Sequence, residues 1–165
     1  MRESNAMTKK TNKPQGAQAV KNGKAFEEKC RDFIQSIGYA RPRKYSYEAY
    51  WHNKKKNQAD AYVEELNLVN EFKYQNTSGT ADQKIVTELM NAAVNIKVDT
   101  YAYVYDGPET KTKRWRGLVQ AGKDFINLVE SQSKPLGGAK KLMIMSYDEF
   151  CAWMINKTLD IDTRP

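Results

Sequence analysis

The chain has 165 residues, of which 40% are hydrophobic and 11% aromatic, and its formal net charge is +7. This length and composition predict one domain with one hydrophobic core. No apolar run approaches the ~18 residues of a membrane span, and the amino terminus lacks the apolar segment of a secretory signal, so we expect a cytoplasmic protein without membrane association. The two cysteines, Cys30 and Cys151, lie in apolar helical stripes, which predicts two buried reduced thiols.

Most of the positive charge lies near the amino terminus, because residues 1–24 contain six Lys or Arg and one acid. The first 22 residues are polar and have no apolar period, which predicts a disordered basic tail followed by one domain over residues 23–165. Ser4-Asn5-Ala6-Met7 looks like a cloning scar in front of a native Met7, so we expect residues 1–6 to have no part in the function.

Hydrophobic periodicity predicts an α/β domain with a mixed central β-sheet flanked by helices. In chain order, the predicted elements are a helix over 24–37, strands over 43–51, 57–64 and 68–75, a helix over 81–96, a strand over 101–105, a helix around 115–129, a strand over 142–145 and a helix over 147–159. The second and third strands are joined by a polar turn at 65–67, so we expect them to form a hairpin.

That hairpin places Asp60 opposite Glu71 to within one residue, with Cβ atoms about 5 Å apart. Carboxylates this close repel each other unless a divalent cation lies between them, and Mg²⁺ prefers hard oxygen ligands, including a backbone carbonyl such as that of Phe72. Strand alternation puts Lys73 and Gln75 on the same face as Glu71. Taken alone, Glu71 and Lys73 could equally be an exposed ion pair worth under about 1 kcal/mol.

The set Asp60, Glu71 and Lys73 resembles the signature of the PD-(D/E)XK nuclease superfamily, and Gln75 matches a glutamine often found there. Ala59 replaces the proline that usually precedes the first acid. The resemblance implies a restriction endonuclease-like αβββαβ core and Mg²⁺-dependent hydrolysis of DNA, with Mn²⁺ able to substitute. It also implies that Asp60, Glu71 and the Phe72 carbonyl bind the metal, that Lys73 positions the attacking water, and that Gln75 assists.

The segment Gly23-Lys24-Ala25-Phe26-Glu27 resembles the first-helix segment that gives this superfamily an additional acid. Periodicity favours Glu27 over Glu28, because Glu27 borders the apolar stripe that contains Cys30 and Ile34. Glu28 is expected on the outer face with Arg31, Asp32 and Gln35. The alternative is that Glu27 is an ordinary boundary residue of an amphipathic helix.

Basic clusters flank the predicted centre, and neutralisation of phosphates by such residues provides sequence-independent affinity for DNA. Gln83 and Lys84 are further candidates, because the start of a helix after Thr80 could contact a phosphate. A single basic patch is more often a solvated surface. The predicted DNA-binding residues are Arg41, Arg43, Lys44, Lys54, Lys55, Lys56, Gln83, Lys84, Lys113, Arg114 and Arg116.

Other chemistries lack their residues. The single histidine, His52, excludes histidine-rich centres, and the absence of a phosphate-binding Gly-rich loop argues against a nucleotide cofactor. We therefore expect a Mg²⁺-dependent DNA endonuclease, restriction-like or phage-type, acting as a homodimer. A Holliday junction resolvase or a repair nuclease of the same superfamily is one alternative, and a noncatalytic DNA-binding module is another.

Overall fold

The computed structural model describes residues 15–48, 56–77 and 84–162. Within these ranges, four α-helices and five β-strands follow one another in the predicted order, which is a helix, three strands, a helix, a strand, a helix, a strand and a helix. The elements are α1 (Gln15–Ser36), β1 (Arg43–Glu48), β2 (Lys56–Val63), β3 (Leu68–Tyr74), α2 (Lys84–Asn95), β4 (Thr100–Asp106), α3 (Lys113–Glu130), β5 (Lys141–Ser146) and α4 (Tyr147–Asp162).

The strands form one mixed sheet in the order β1-β2-β3-β4-β5. The pairs β1/β2 and β2/β3 are antiparallel, whereas β3/β4 and β4/β5 are parallel. Helices α2 and α3 connect the parallel strands, as a parallel pair requires a crossover. The prediction of a mixed sheet flanked by helices is confirmed.

Each face of the sheet is covered by two helices, because strand side chains alternate between the faces. On the α2/α3 face, buried residues include Val69, Leu89, Tyr101, Tyr103 and Trp115. On the α1/α4 face, they include Phe26, Ile34, Phe72, Phe150 and Met154. The two cores fix β3 in the middle of the sheet, with Glu71 and Phe72 pointing to opposite faces.

Helix α1 begins at Gln15, so the prediction that residues 15–22 are disordered is wrong. This first part of the helix is largely exposed, as Val20 shows with 59% of its surface accessible, and therefore has no apolar stripe to detect. Gln18 donates a side-chain hydrogen bond to Asn22, four residues later. A helix already nucleated by its packed part can extend through neighbouring residues, and Ala17, Gln18, Ala19 and Lys21 are good helix formers.

The other boundaries differ from prediction by a few residues. Residues 49–51 and 81–83, expected at the ends of β1 and α2, lie outside the described residues. The turn between β2 and β3 contains a short 3-10 helix, Glu64–Leu66, and ends at Asn67 with a φ of 45°, a left-handed conformation that asparagine tolerates.

Both cysteines are free thiols, and only Cys30 is fully buried, while Cys151 is partly exposed. Burial raises the pKa of both thiols. No helix within the described ranges combines the length and the hydropathy that a membrane crossing needs.

Candidate functional site

Strands β2 and β3 pair over only three positions and then separate. The pairs are Ala61↔Asn70, Tyr62↔Val69 and Val63↔Leu68. The next residue of each strand, Asp60 and Glu71, therefore lies at the fork between them. The hairpin prediction that brought these two acids together is confirmed.

A register shift in the neighbouring β1/β2 pair turns Asp60 into this fork. Arg43 pairs with Tyr62 but Tyr45 pairs with Ala59, so two residues of β2 lie opposite one residue of β1. Such a bulge bends a strand and re-aims a side chain. The Oδ2 atom of Asp60 accepts a hydrogen bond of 2.8 Å from the backbone N–H of Phe72 on β3.

The fork opens into a cleft of about 480 Å³. One wall is the end of β3 and the residues after it, and the other is the amino-terminal half of α1. The charged and amide side chains that could take part in chemistry there include Lys24, Glu27, Asp60, Glu71, Lys73 and Gln75. All five residues predicted to be catalytic therefore line one cleft.

Alternation along β3 follows the prediction. Phe72 and Tyr74 face α1, where their rings lie 6.2 and 6.0 Å from the ring of Phe26. Glu71 and Lys73 point to the other face, and both are partly exposed to the cleft. Gln75 is 8% exposed, and its amide donates a 2.5 Å hydrogen bond to the Thr77 carbonyl, which steadies the chain after β3.

The surroundings of the fork disfavour the charged form of both of its acids, Asp60 and Glu71. Burial raises the pKa of Asp60 to about 6, with a further increase from Glu27, against the lowering effects of the Phe72 hydrogen bond and of Arg31. Burial also raises the pKa of Glu71 well above its usual range, and the charge of Asp60 adds to this effect. A bound cation would offset this cost, as would a proton.

Glu27 lines the cleft and 24% of its side chain is exposed, whereas Glu28 is 57% exposed and points away. Of these two acids, Glu27 is therefore the one that lines the cleft. Arg31 was expected on the outer face, and this prediction is wrong, because Arg31 is only 7% exposed. Its Nη2 atom donates a 2.7 Å hydrogen bond to the Asp60 carbonyl. The sequence does contain a signal for the inward position of Arg31: it follows Glu27 by four residues, which places both side chains on one side of the helix.

The oxygen atoms at the fork suit a hard divalent cation. Among the described residues, no three His, Cys, Asp or Glu side chains are arranged to hold a metal ion, so Asp60 and Glu71 would need backbone or water oxygens in addition. In an extended strand the N–H and C=O of one residue point to the same side. Because the Phe72 N–H faces Asp60, the Phe72 carbonyl lies on the same edge of β3 and is the backbone oxygen that could join the two carboxylates in holding a divalent cation.

Comparison with protein-family models, with curated proteins and with solved structures found no match. The chemistry of the cleft is therefore inferred from its own residues.

The predicted DNA-binding residues near the fork separate into two groups. Lys44 and Lys56 are exposed, and the charge of Lys44 is close enough to Asp60 to lower the pKa of that carboxyl. Arg41, in contrast, is held by acids of α1: it contacts Glu28 and lies 2.5 Å from Asp32. Arg41 is thus an ion-paired link between α1 and the chain before β1.

The remaining basic residues lie away from the cleft or outside the described ranges. Lys113, Arg114 and Arg116 are exposed in the first turn of α3, where Arg114 lies 3.8 Å from Glu109. Arg43 is exposed beside Glu64 at 3.9 Å. Lys84 is exposed at the first residue of α2. Lys54, Lys55, Gln83 and His52 fall outside the described residues.

Proposed function

We propose that the chain is a Mg²⁺-dependent endonuclease that hydrolyses phosphodiester bonds in DNA, on a restriction endonuclease-like core. The observation that carries the proposal is the convergence of Glu27, Asp60, Glu71 and Lys73 on one cleft at the fork of β2 and β3. Acids with raised pKa values beside a lysine, in a cleft, mark a functional-site candidate on physical grounds.

Asp60, Glu71 and the Phe72 carbonyl would hold Mg²⁺, for which Mn²⁺ can substitute. When bound, the ion supplies Lewis acidity and lowers the pKa of a coordinated water. Lys73 positions the attacking water with its ammonium and stabilises the negative charge that grows on the phosphate as the new P–O bond forms and the old one breaks. Glu27 accepts a hydrogen bond from that water at the α1 wall, and Gln75 holds the end of β3 in place.

Cations around the cleft would guide the DNA backbone to this centre. Lys24 lines the cleft and is exposed, and Lys44 and Lys56 lie on the adjoining strands. Phosphate contacts of this kind give affinity that falls steeply with salt. The cluster Lys113, Arg114 and Arg116 provides a second basic surface for flanking DNA.

One such centre cuts one strand, so cleavage of both strands would most simply use a symmetric homodimer. Within this proposal the protein is restriction-like or phage-type and acts in the cytoplasm, and a junction resolvase or repair nuclease is the neighbouring subclass. A preference for branched over linear duplex separates these subclasses.

One observation favours a noncatalytic DNA-binding module. Asp60 already accepts a hydrogen bond from Phe72 N–H, which gives this carboxylate a structural role without a metal. A module of this kind would bind DNA through the same lysines and release no products.

The test is cleavage of supercoiled plasmid and of a branched duplex with Mg²⁺ or with EDTA, using wild type, Lys73→Ala and Lys123→Ala. Lys123 is an exposed lysine of α3 outside the cleft and is the matched control. We expect products that require Mg²⁺ and are lost in Lys73→Ala but retained in Lys123→Ala. DNA binding without products in any metal would support the noncatalytic module instead.

A further inference from the structure

Arg31 connects helix α1 to the fork where Asp60 lies. Its Nη2 atom donates to the Asp60 carbonyl at 2.7 Å and lies 3.5 Å from a carboxylate oxygen of Glu27. Its Nη1 atom donates to Glu28 at 3.0 Å. The side chain is 9% exposed, so these contacts are made in a largely water-excluded place.

The guanidinium suits this task because it is planar and presents five N–H donors in a fixed arrangement. The Asp60 carbonyl belongs to the bulged part of β2, where regular ladder pairing is disrupted and a side-chain donor can take its place. Glu27 lies one helical turn before Arg31, so the same guanidinium limits where that carboxylate can turn.

We propose that Arg31 is a positioning residue that holds Glu27 and the backbone of Asp60 in the arrangement needed to bind a divalent cation in the cleft. This inference rests on the proposed function. It assigns to Arg31 no contact with substrate: the residue acts through the groups that it holds, as outer-shell partners of metal ligands commonly do.

Positioning and simple electrostatics predict opposite results. Arg31 carries a positive charge beside the acids, so as a charge alone it repels a cation, and its removal would tighten metal binding. If Arg31 acts by positioning, its loss weakens metal binding even though the site becomes more negative. Arg31→Lys separates the two effects, because it keeps the charge and loses the planar pair of donors.

The experiment is calorimetric titration of the full chain with Mn²⁺ alone, without DNA, for wild type, Arg31→Lys, Arg31→Gln and Lys29→Gln. Lys29→Gln is the control, because it removes one positive charge from the same helix. Lys29 pairs with Asp106 at 3.7 Å. We expect both Arg31 variants to bind Mn²⁺ about 10-fold more weakly and Lys29→Gln to bind as wild type does. Far-ultraviolet circular dichroism and thermal melting establish that each variant is folded.

A second measurement distinguishes positioning from general loosening of the fold. If Arg31 acts through Glu27, then Arg31→Lys weakens Mn²⁺ binding by a smaller factor in a Glu27→Gln background than in wild type, a non-additivity expected of coupled residues. In cleavage assays the same substitution should lower kcat with little change in the KM for DNA.

The outcomes separate this inference from the proposed function. If wild type binds Mn²⁺ and cleaves DNA while Arg31→Lys binds with wild-type affinity, the role of Arg31 is wrong and the nuclease stands. Tighter binding by Arg31→Gln would also overturn it, in favour of simple electrostatics. If wild type neither binds Mn²⁺ nor cleaves DNA, the proposed function fails and the role of Arg31 fails with it.

Discussion

The carboxylate of Asp60 and the backbone N–H of Phe72 are joined by a 2.8 Å hydrogen bond across the fork between β2 and β3. The side chain of Asp60 thereby takes the place of a strand partner at the point where the ladder ends. Because Phe72 follows Glu71 directly, this bond ties the two acids together through the backbone.

The charge of Asp60 should cost stability at neutral pH. Its pKa is raised from 3.8 to about 6, so between these pH values the native state keeps a proton that the unfolded state has released, and stability falls as the pH rises. We expect Asp60→Asn to abolish cleavage and to raise the free energy of unfolding by roughly 1–3 kcal/mol at pH 7.5 in EDTA, with no gain below pH 4.

Urea unfolding at both pH values measures this effect. Asp124→Asn, a change of an exposed aspartate on α3, is the matched control and should alter stability at neither pH. Equal stability of wild type and Asp60→Asn at pH 7.5 would mean that burial does not disfavour this carboxylate.

A bound divalent cation should offset the cost of burying the negative charge of Asp60. A ligand that binds only the native state stabilises it by about 2.7 kcal/mol at a concentration 100-fold above its Kd. We expect Mg²⁺ to raise the Tm of wild type at pH 7.5 and to leave Asp60→Asn and Glu71→Gln nearly unchanged, as followed by thermal melting with EDTA reversal. An equal increase in all three proteins would place the ion elsewhere.

Lysines near the fork should contribute to DNA affinity, whereas Arg41 should not. Lys44→Ala and Lys56→Ala should each reduce the slope of log Kd against log salt by about 1 on linear duplex. Arg41→Ala should leave the slope unchanged, because Glu28 and Asp32 already neutralise that guanidinium. Fluorescence anisotropy between low and moderate salt provides the data. A reduced slope for Arg41→Ala would return this residue to the DNA-binding surface.

Asn70 should be a site where substitution stabilises the fold. It is fully buried between Ala61 and Ala102 on the neighbouring strands, and neither its amide nitrogen nor its amide oxygen has a hydrogen-bond partner among the described residues. Asn70→Val removes both unsatisfied groups and favours the strand, so we expect a gain of about 1–3 kcal/mol in unfolding free energy. Asn70→Ala should gain less, because it leaves space. Destabilisation by both changes, in chemical denaturation, would reveal a bound water that satisfies the amide.

The sequence by itself determined the order of helices and strands and which side chains share a face of each strand. The period of two along β3 separates Glu71 and Lys73 from Phe72 and Tyr74, and the helical stripe of α1 selects Glu27 over Glu28. These patterns are local, since they follow from backbone geometry and from which residues must be buried. These patterns are sufficient to predict that the two acids and Lys73 lie close together.

Only the tertiary structure decided which charges are buried and what holds them. Arg31 lies in the interior because β2 bulges at Asp60 and offers it a carbonyl, and Arg41 is neutralised because the chain before β1 returns to α1. The helical start at Gln15 likewise carries no apolar signal. The burial of Arg31 and the neutralisation of Arg41 depend on contacts between residues distant in the chain, and the energy of a charge depends on the dielectric and the partners that the fold gives it.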